Sequence, residues 1–186
     1  MDADFLLVRK MKGGDENAID LFVRKYYQDI LKYCYYHCHD KEYAEDLTQE
    51  TFVRFFTKLS SYQHSGKAKN YLYTIARNLC RDLLKKNREI PVEDSNLREM
   101  ADSGTYPTEE IVNKLAVKQA LLQLPDELRE VVILYYFQGL KFTEIAGILQ
   151  IGLPLAKYRM RQAKLQLEQL LRKEGLYESG TYSHKL

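Results

Sequence analysis

The 186-residue sequence has no tryptophan, three cysteines and no long apolar run. An odd number of cysteines argues against a disulfide framework. The longest apolar runs, such as VVILYYF, are far shorter than the roughly 20 residues that a bilayer-spanning helix needs. The N-terminal MDADFLLVRKMKGGD also lacks the layout of a signal peptide. We therefore expect a cytoplasmic protein without membrane insertion.

The formal net charge of +2 is distributed unevenly along the chain. When Lys and Arg are counted against Asp and Glu, residues 1–86 carry +3, residues 87–116 carry −4 and residues 117–186 carry +3. Two mildly basic blocks therefore flank an acidic joint. This pattern alone does not distinguish a functional charge distribution from solvated faces that happen to differ in charge.

Apolar residues recur mainly with helical periodicity. No stretch alternates apolar and polar residues for long enough to predict a strand. Three N-terminal helices are expected, the first capped by Asp15, the second beginning near residues 40–43 and the third spanning about 70–86. Their core-facing residues are predicted to be Ile19, Phe22, Tyr26, Ile30 and Cys34, then Ala44, Leu47, Thr51, Phe55 and Leu59, then Leu72, Ile75, Ala76, Leu79 and Leu83.

Residues 87–107 have the Pro, Gly, Ser and acidic content of a flexible linker, after which helical patterns resume. We expect an all-α fold of two small helical domains, at residues 1–86 and 108–175, joined by this acidic linker and followed by a frayed tail at 176–186.

The C-terminal EIAGILQIGLPLAKYRMR has helix-turn-helix proportions, and Pro154 suits the first turn of the second helix. Arginine and glutamine on such a helix can contact base edges in the major groove, while lysines bind phosphates. The inward residues are predicted to be Leu155, Ala156, Met160, Ala163 and Leu167, and the DNA-facing ones Lys157, Tyr158, Arg159, Arg161, Gln162 and Lys164. An amphipathic helix with a solvated face remains the alternative.

The N-terminal block carries a more specific signal. The run DKEYAEDLTQETFVRFFTKL and the following NYLYTIARNLCRDLLKKNR resemble two signatures of region 2 in bacterial sigma factors of the sigma-70 family, extracytoplasmic-function (ECF) group. LPDELREVVILYYFQGLKFTEIAGIL with the basic helix after it is similar to their region 4, so the resemblance covers about residues 14–171. Two motifs in the expected order and spacing predict region 2 in the first domain and region 4 in the second.

This resemblance implies a non-catalytic subunit that binds core RNA polymerase, through its clamp helices and flap, and promoter DNA. The helix containing AEDLTQE is implied to contact the clamp helices through Asp46, Leu47, Gln49 and Glu50. Spacings of three and four residues place Asp46, Gln49 and Glu50 together on one helix. An anti-sigma protein is left open as a further partner.

The resemblance also implies that the next helix and the loop before it bind the separated minus-ten strand. Tyrosines supply stacking, asparagines contact base edges and basic residues contact phosphates. The residues so assigned are Tyr62, Lys67, Lys69, Asn70, Tyr71, Tyr73, Arg77, Asn78, Arg81, Lys85 and Lys86. For Tyr73, core packing and DNA stacking are equally compatible with the pattern.

The chain departs from the family at several positions. Gln150 replaces a common glycine in the helix-turn-helix turn, and Pro154, Leu155 and Ala156 replace a common Gly-Thr-Val. Tyr71 replaces a usual tryptophan. Promoter sequence preference therefore cannot be carried over from relatives.

The run CYYHCH brings Cys34, His37, Cys38 and His39 close together in sequence. Zinc needs four convergent ligands, usually from two segments, whereas Cys34 and Cys38 extend an apolar stripe and Cys80 lies beside Leu79. We expect core cysteines, no metal and no cofactor.

Two other functions remain open at this point. A stand-alone helix-turn-helix regulator would bind duplex operator DNA without polymerase, whereas a sigma factor would bind its promoter weakly until core enzyme is present. A helical hydrolase built on the Cys/His run would carry metal when purified.

Overall fold

The computed structural model describes residues 3–63, 68–89, 116–117 and 119–173, without the side chains of residues 3, 84, 86–89 and 173. Every regular element in these ranges is a helix, as the periodicity predicts. Most of the predicted linker and all of the predicted tail lie outside the described residues. No helix in the described ranges is long and apolar enough to cross a membrane.

Contacts divide the chain into two compact units. The first comprises Met1–Asn96 together with Thr143–Gln150, and the second comprises Leu97–Phe142 together with Ile151–Leu186.

Four helices form most of the first unit: α1 (Ala3–Lys12), α2 (Glu16–Cys38), α3 (Lys41–Thr57) and α4 (Ala68–Glu89). Helices α2, α3 and α4 pack against one another, and α1 packs against α2. Phe22 of α2 stacks on Phe55 of α3 with ring centroids 4.8 Å apart, and both rings are fully buried. Burying a side chain of this size stabilises the fold by about 1.5–3 kcal/mol.

Capping residues set the starts of α2 and α3. The Asp15 carboxylate accepts a hydrogen bond from the Ala18 amide at 3.2 Å, and that of Asp40 accepts one from Tyr43 at 2.9 Å. These bonds satisfy amides that have no partner within the helix. The predicted starts of both helices are confirmed.

Helix α1 is not among the predicted elements. Its buried residues include Val8 and Met11, and it ends before Gly14, whose φ of +83° suits glycine. A helix of ten residues is too short to be stable in water by itself, so packing against α2 stabilises it.

The predicted core stripes of α2, α3 and α4 are largely confirmed. Three of their members are half-buried rather than buried: Ile19, Leu47 and Leu83.

In the second unit, α5 (Asp126–Val132) continues into a π-helical turn at Ile133–Phe137 and packs against α7 (Leu153–Lys173). The buried side of α7 includes Ala156, Met160 and Ala163. The prediction that Leu155 faces inward is wrong, because this side chain is 41% exposed.

Helix α6 (Phe142–Leu149) precedes α7 in the chain, and three residues separate the two helices. Gln150, in that connection, has a φ of +55°. This left-handed conformation explains why glycine suits the position. Pro154 lies in the first turn of α7, as predicted.

Candidate polymerase and nucleic-acid interfaces

Helix α3 has a buried side and an exposed side. Ala44, Thr48, Thr51 and Phe55 are buried, and the Thr48 and Thr51 hydroxyls donate to carbonyls one turn earlier in α3. The buried hydroxyls thus have partners within the helix. The exposed side of α3 is therefore held in a fixed orientation by the packing beneath it.

The residues expected to contact polymerase lie on or beside that exposed side. Asp46 and Gln49 are exposed, while Leu47 and Glu50 are half-buried. A carboxylate oxygen of Glu50 accepts a hydrogen bond from Arg54 Nε at 2.7 Å, which fixes this carboxylate one turn from Asp46.

Two apolar side chains flank these carboxylates, and sequence reasoning did not assign them. Tyr43 is 52% exposed and Val53 is 57% exposed. Tyr43, Asp46, Glu50 and Val53 are spaced by three, four and three residues, so they lie along one stripe of α3. This spacing could have indicated from the sequence that Tyr43 and Val53 belong to the same stripe. An exposed stripe with acidic residues between apolar ones suits a protein partner better than DNA.

Two of the tyrosines expected to bind the minus-ten strand form a stacked pair. The rings of Tyr62 and Tyr71 are 5.0 Å apart with an interplanar angle of 19°. Buried Phe55 lies near both, with its ring centroid 5.6 Å from that of Tyr62 and 6.0 Å from that of Tyr71. The pair is half-buried and rests on the core, which suits it to stacking against a base.

The tyrosine pair borders a cleft within the first unit. The cleft is lined by Lys58, Ser61, Tyr62, Gln63, Asn70, Tyr71, Thr74 and Gly147. Aromatic rings, amides, hydroxyls and a lysine thus converge on one concavity, which is the mixture that an unstacked base and its phosphate require.

Asn70 is the most buried polar residue of the cleft, at 7% exposure. Its Nδ2 is buried and has no hydrogen-bond partner among the residues that the structure describes. A buried donor left without an acceptor costs about 1–3 kcal/mol. An acceptor on a bound base would remove that cost.

The basic residues of α4 are in different environments. Lys69 Nζ lies 3.3 Å from a carboxylate oxygen of Asp29, so part of its charge is already compensated. Arg77 is half-buried, and Arg81 and Lys85 are exposed. Asn78 is half-buried. Lys67 and the Lys86 side chain lie outside the described residues.

The assignment of Tyr73 to DNA stacking is wrong. Its side chain is 0% exposed and packs edge-on against Tyr33 of α2, with ring centroids 5.3 Å apart. Burial raises the pKa of the Tyr73 hydroxyl, and nearby Asp29 raises it further. Tyr73 is a core residue that holds α4 against α2.

The basic face of α7 contains most of the residues expected to bind the minus-thirty-five element. Lys157, Tyr158, Arg161 and Lys164 are exposed, and Gln162 is half-buried. The Arg161 guanidinium carbon lies 5.8 Å from the Tyr158 ring centroid, so the two side chains support each other. This face can present a guanidinium and an amide to base edges and lysines to phosphates.

Arg159 lies at the edge of this face and has a partner within the second unit. Its Nη2 is 2.7 Å from Glu127 Oε2 on α5, and its side chain is only 17% exposed. Glu127 is 32 residues away in sequence, so only the fold reveals the pairing. Arg159 and Arg161 therefore differ in their availability to DNA.

The cysteines of the first unit belong to its interior. Cys34 and Cys80 are buried, as predicted, and Cys38 is half-buried. A hydrogen bond from the Cys80 thiol lowers the pKa of Cys34, whereas burial raises that of Cys38 to about 11. Within the described ranges no group of three or more His, Cys, Asp or Glu residues could hold a metal.

These features describe a helical chain with an acidic and apolar stripe on α3, an aromatic cleft beside α4 and a basic face on α7. Family models match it in two places, Sigma-70 region 2 at residues 22–90 and Sigma-70 region 4 at residues 114–167.

Curated relatives match most of the chain. The RNA polymerase sigma factor YlaC of Bacillus subtilis is 32% identical over 168 residues, which cover 88% of this chain and 96% of YlaC. The ECF RNA polymerase sigma factor SigM of the same species is 30% identical over 155 residues, covering 82% of this chain and 94% of SigM. SigW, a third ECF sigma factor from this species, is 28% identical over 177 residues, covering 89% and 95% respectively.

A solved structure of CnrH in complex with the cytosolic domain of CnrY has the same fold, with a TM-score of 0.74 at 20% identity over 93% of this chain and 99% of that one. The sigma factor RpoE of Bartonella quintana, solved with the anti-sigma factor NepR, gives a TM-score of 0.63 at 24% identity over 82% and 96%.

The chain belongs to the ECF group of RNA polymerase sigma factors. It is an alternative sigma factor, which binds core RNA polymerase and directs it to particular promoters.

Proposed function

We propose that the cleft beside the Tyr62–Tyr71 pair captures an unpaired base of the minus-ten element and so helps to open the duplex. The observation that supports this most directly is the stacked pair itself, half-buried above Phe55 and next to the unpartnered Asn70 amide. A base that stacks there would accept a hydrogen bond from Asn70, while exposed Arg81 and Lys85 contact the strand's phosphates.

We assign the other two interfaces in the same way. The stripe of Tyr43, Asp46, Glu50 and Val53 on α3 docks on the clamp helices of core polymerase, with Gln49 and Leu47 beside it. Opposite charge on the partner would steer this encounter, and the two apolar side chains would be buried on docking. The exposed face of α7 lies in the major groove of the minus-thirty-five element, where Arg161 and Gln162 contact bases.

Each function is assigned to one of the domains predicted from the sequence. Residues 1–86 bind core polymerase and the minus-ten element, residues 108–175 bind the minus-thirty-five element, and residues 87–107 link them. We propose that the chain acts in the cytoplasm, contributes no catalytic activity of its own and is held inactive by an anti-sigma protein. The solved complex of RpoE with the anti-sigma factor NepR motivates this last part.

Replacing Tyr71 with alanine tests the minus-ten assignment. Base stacking on an aromatic side chain is worth about 1–3 kcal/mol, so open-complex formation on duplex promoter should fall by roughly 5- to 150-fold. The phenylalanine variant keeps the ring and should retain most of the activity. Permanganate reactivity of minus-ten thymines, measured with core polymerase present, reports strand opening.

The control is Tyr35→Ala, which removes an exposed tyrosine of α2 from outside the cleft. Initial binding of duplex promoter should change little in either alanine variant, because unpaired bases are contacted only after separation. An undiminished permanganate signal in Tyr71→Ala would reject the assignment.

A further inference from the structure

Helix α1 lies outside the residues matched by the region 2 model, which begin at residue 22, yet it is firmly attached to the first unit. Asp4 is buried and accepts hydrogen bonds from Lys25 Nζ at 2.6 Å and from the Tyr26 hydroxyl at 2.5 Å. Val8 and Met11 are buried as well. Polar contacts at the start of α1 and apolar ones along it therefore fix where the helix ends.

The last residue of α1 reaches the loop that follows α3. Lys12 Nζ donates to the backbone carbonyl of Tyr62 at 2.5 Å and to that of Ser60 at 3.3 Å. These carbonyls are 50 and 48 residues away in sequence. A lysine with two carbonyl acceptors cross-links α1 to the segment that carries Tyr62.

The contact acts on the backbone turn that follows α3. The Tyr62 amide donates to the carbonyls of Lys58 at 2.9 Å and Leu59 at 3.2 Å, so the backbone makes one more turn after α3 ends. The last carbonyls of a helical turn accept no hydrogen bond within that turn, and a nearby cation stabilises them. Lys12 supplies that cation from another helix.

We propose that Lys12 is a positioning residue for minus-ten capture: it holds the backbone of Ser60–Tyr62 so that the Tyr62 ring stays stacked against Tyr71. This inference rests on the proposed function of the cleft. Lys12 acts through the loop and does not itself contact the DNA. The segment before the family-model match thus takes part in promoter opening, and its end sets the geometry of the aromatic pair.

The structural part of the proposal is tested without DNA. Amide hydrogen exchange of the full chain, followed by NMR, is compared for Lys12→Met and Lys12→Arg. Exchange at Tyr62 should speed up several-fold in Lys12→Met and return towards the wild-type rate in Lys12→Arg, which restores a cationic donor. Lys10→Met is the matched control, because Lys10 is an exposed lysine two residues earlier in α1 and its loss changes the charge equally. Equal exchange at Tyr62 in all the variants would overturn the proposal.

The functional part uses open-complex formation with core polymerase on a duplex promoter. Lys12→Met should lower the yield of open complex about 3- to 10-fold, because this is the change expected from the loss of one hydrogen bond. Lys10→Met should leave the yield unchanged. The salt dependence of promoter binding should stay the same in Lys12→Met. A salt slope reduced by about one unit would mean that Lys12 binds a phosphate directly, which would contradict the positioning role.

Tyr62→Ala separates this proposal from the function on which it rests. If Tyr62→Ala leaves strand opening intact, the assignment of the cleft fails. If Tyr62→Ala impairs opening but Lys12→Met does not, the cleft assignment stands and the positioning role of Lys12 is rejected.

Discussion

Arg159 and Arg161 of α7 should respond differently to replacement by alanine, because Arg159 forms an ion pair with Glu127 whereas Arg161 lies exposed over the Tyr158 ring. Arg159 pairs with Glu127 at 2.7 Å, with side-chain exposures of 17% and 70%. One partner is largely in water, so the pair should contribute about 0.2–1 kcal/mol to the free energy of unfolding. Arg159→Ala is expected to cost this much stability and to leave base preference unchanged.

Arg161→Ala should have the opposite profile. Arg161 is exposed and lies over Tyr158 on the basic face. If it makes a bidentate contact with a guanine, its loss should weaken binding to the preferred minus-thirty-five element by about 1–3 kcal/mol and relax the preference at one base pair. Stability should change little.

The assay selects bound sites from randomised minus-thirty-five elements, with core polymerase at fixed salt, alongside chemical denaturation of each variant. A double-mutant cycle with Glu127→Ala checks that the stability lost in Arg159→Ala comes from the pair. A preference at one position that relaxes in Arg159→Ala as much as in Arg161→Ala would refute this reasoning.

Two further predictions concern stability. Gln150→Gly should raise the free energy of unfolding by roughly 0.5–1 kcal/mol in denaturation experiments, because glycine adopts the φ of +55° without the strain of a side chain. This gain should exceed the cost of the greater entropy of glycine in the unfolded chain. A lower free energy of unfolding would show that Gln150 is not strained. Cys38 has a pKa of about 11 in the folded chain against an ordinary 9.0, so the folded state favours the protonated thiol. The stability contributed by the protonated Cys38 thiol is present below pH 9 and is lost as the pH rises towards 11. Cys38→Ser should therefore lose less stability than the wild type over this range, by on the order of 1 kcal/mol after solvent screening. Identical pH profiles of the two proteins would reject the effect.

The sequence predicts features that depend on neighbours along one helix. The capping aspartates give the starts of α2 and α3, and the spacing of Asp46, Gln49 and Glu50 places them towards the exposed side of α3. The family resemblance supplied the partner for that side, which an acidic helix face alone would not identify.

Features that depend on packing between helices could not be predicted. Tyr71 and Tyr73 are two residues apart in the same motif, yet only Tyr73 meets Tyr33 and is removed from solvent. The contacts of Arg159 with Glu127 and of Lys12 with the Tyr62 carbonyl span 32 and 50 residues. No local pattern encodes such pairs, because long flexible side chains can reach many partners.

Transcription in vitro with purified core polymerase tests the central claim most directly. The chain should direct core enzyme to discrete start sites on genomic fragments, and Asp46→Lys with Glu50→Lys should abolish both this transcription and the pull-down of core polymerase while leaving the fold intact. Glu45→Lys is the matched control, because Glu45 is on the same helix but rotated by about 100° from Asp46, and it should support normal transcription. Full activity of the double variant, or tight operator binding by the chain without polymerase and no transcripts with it, would contradict the account.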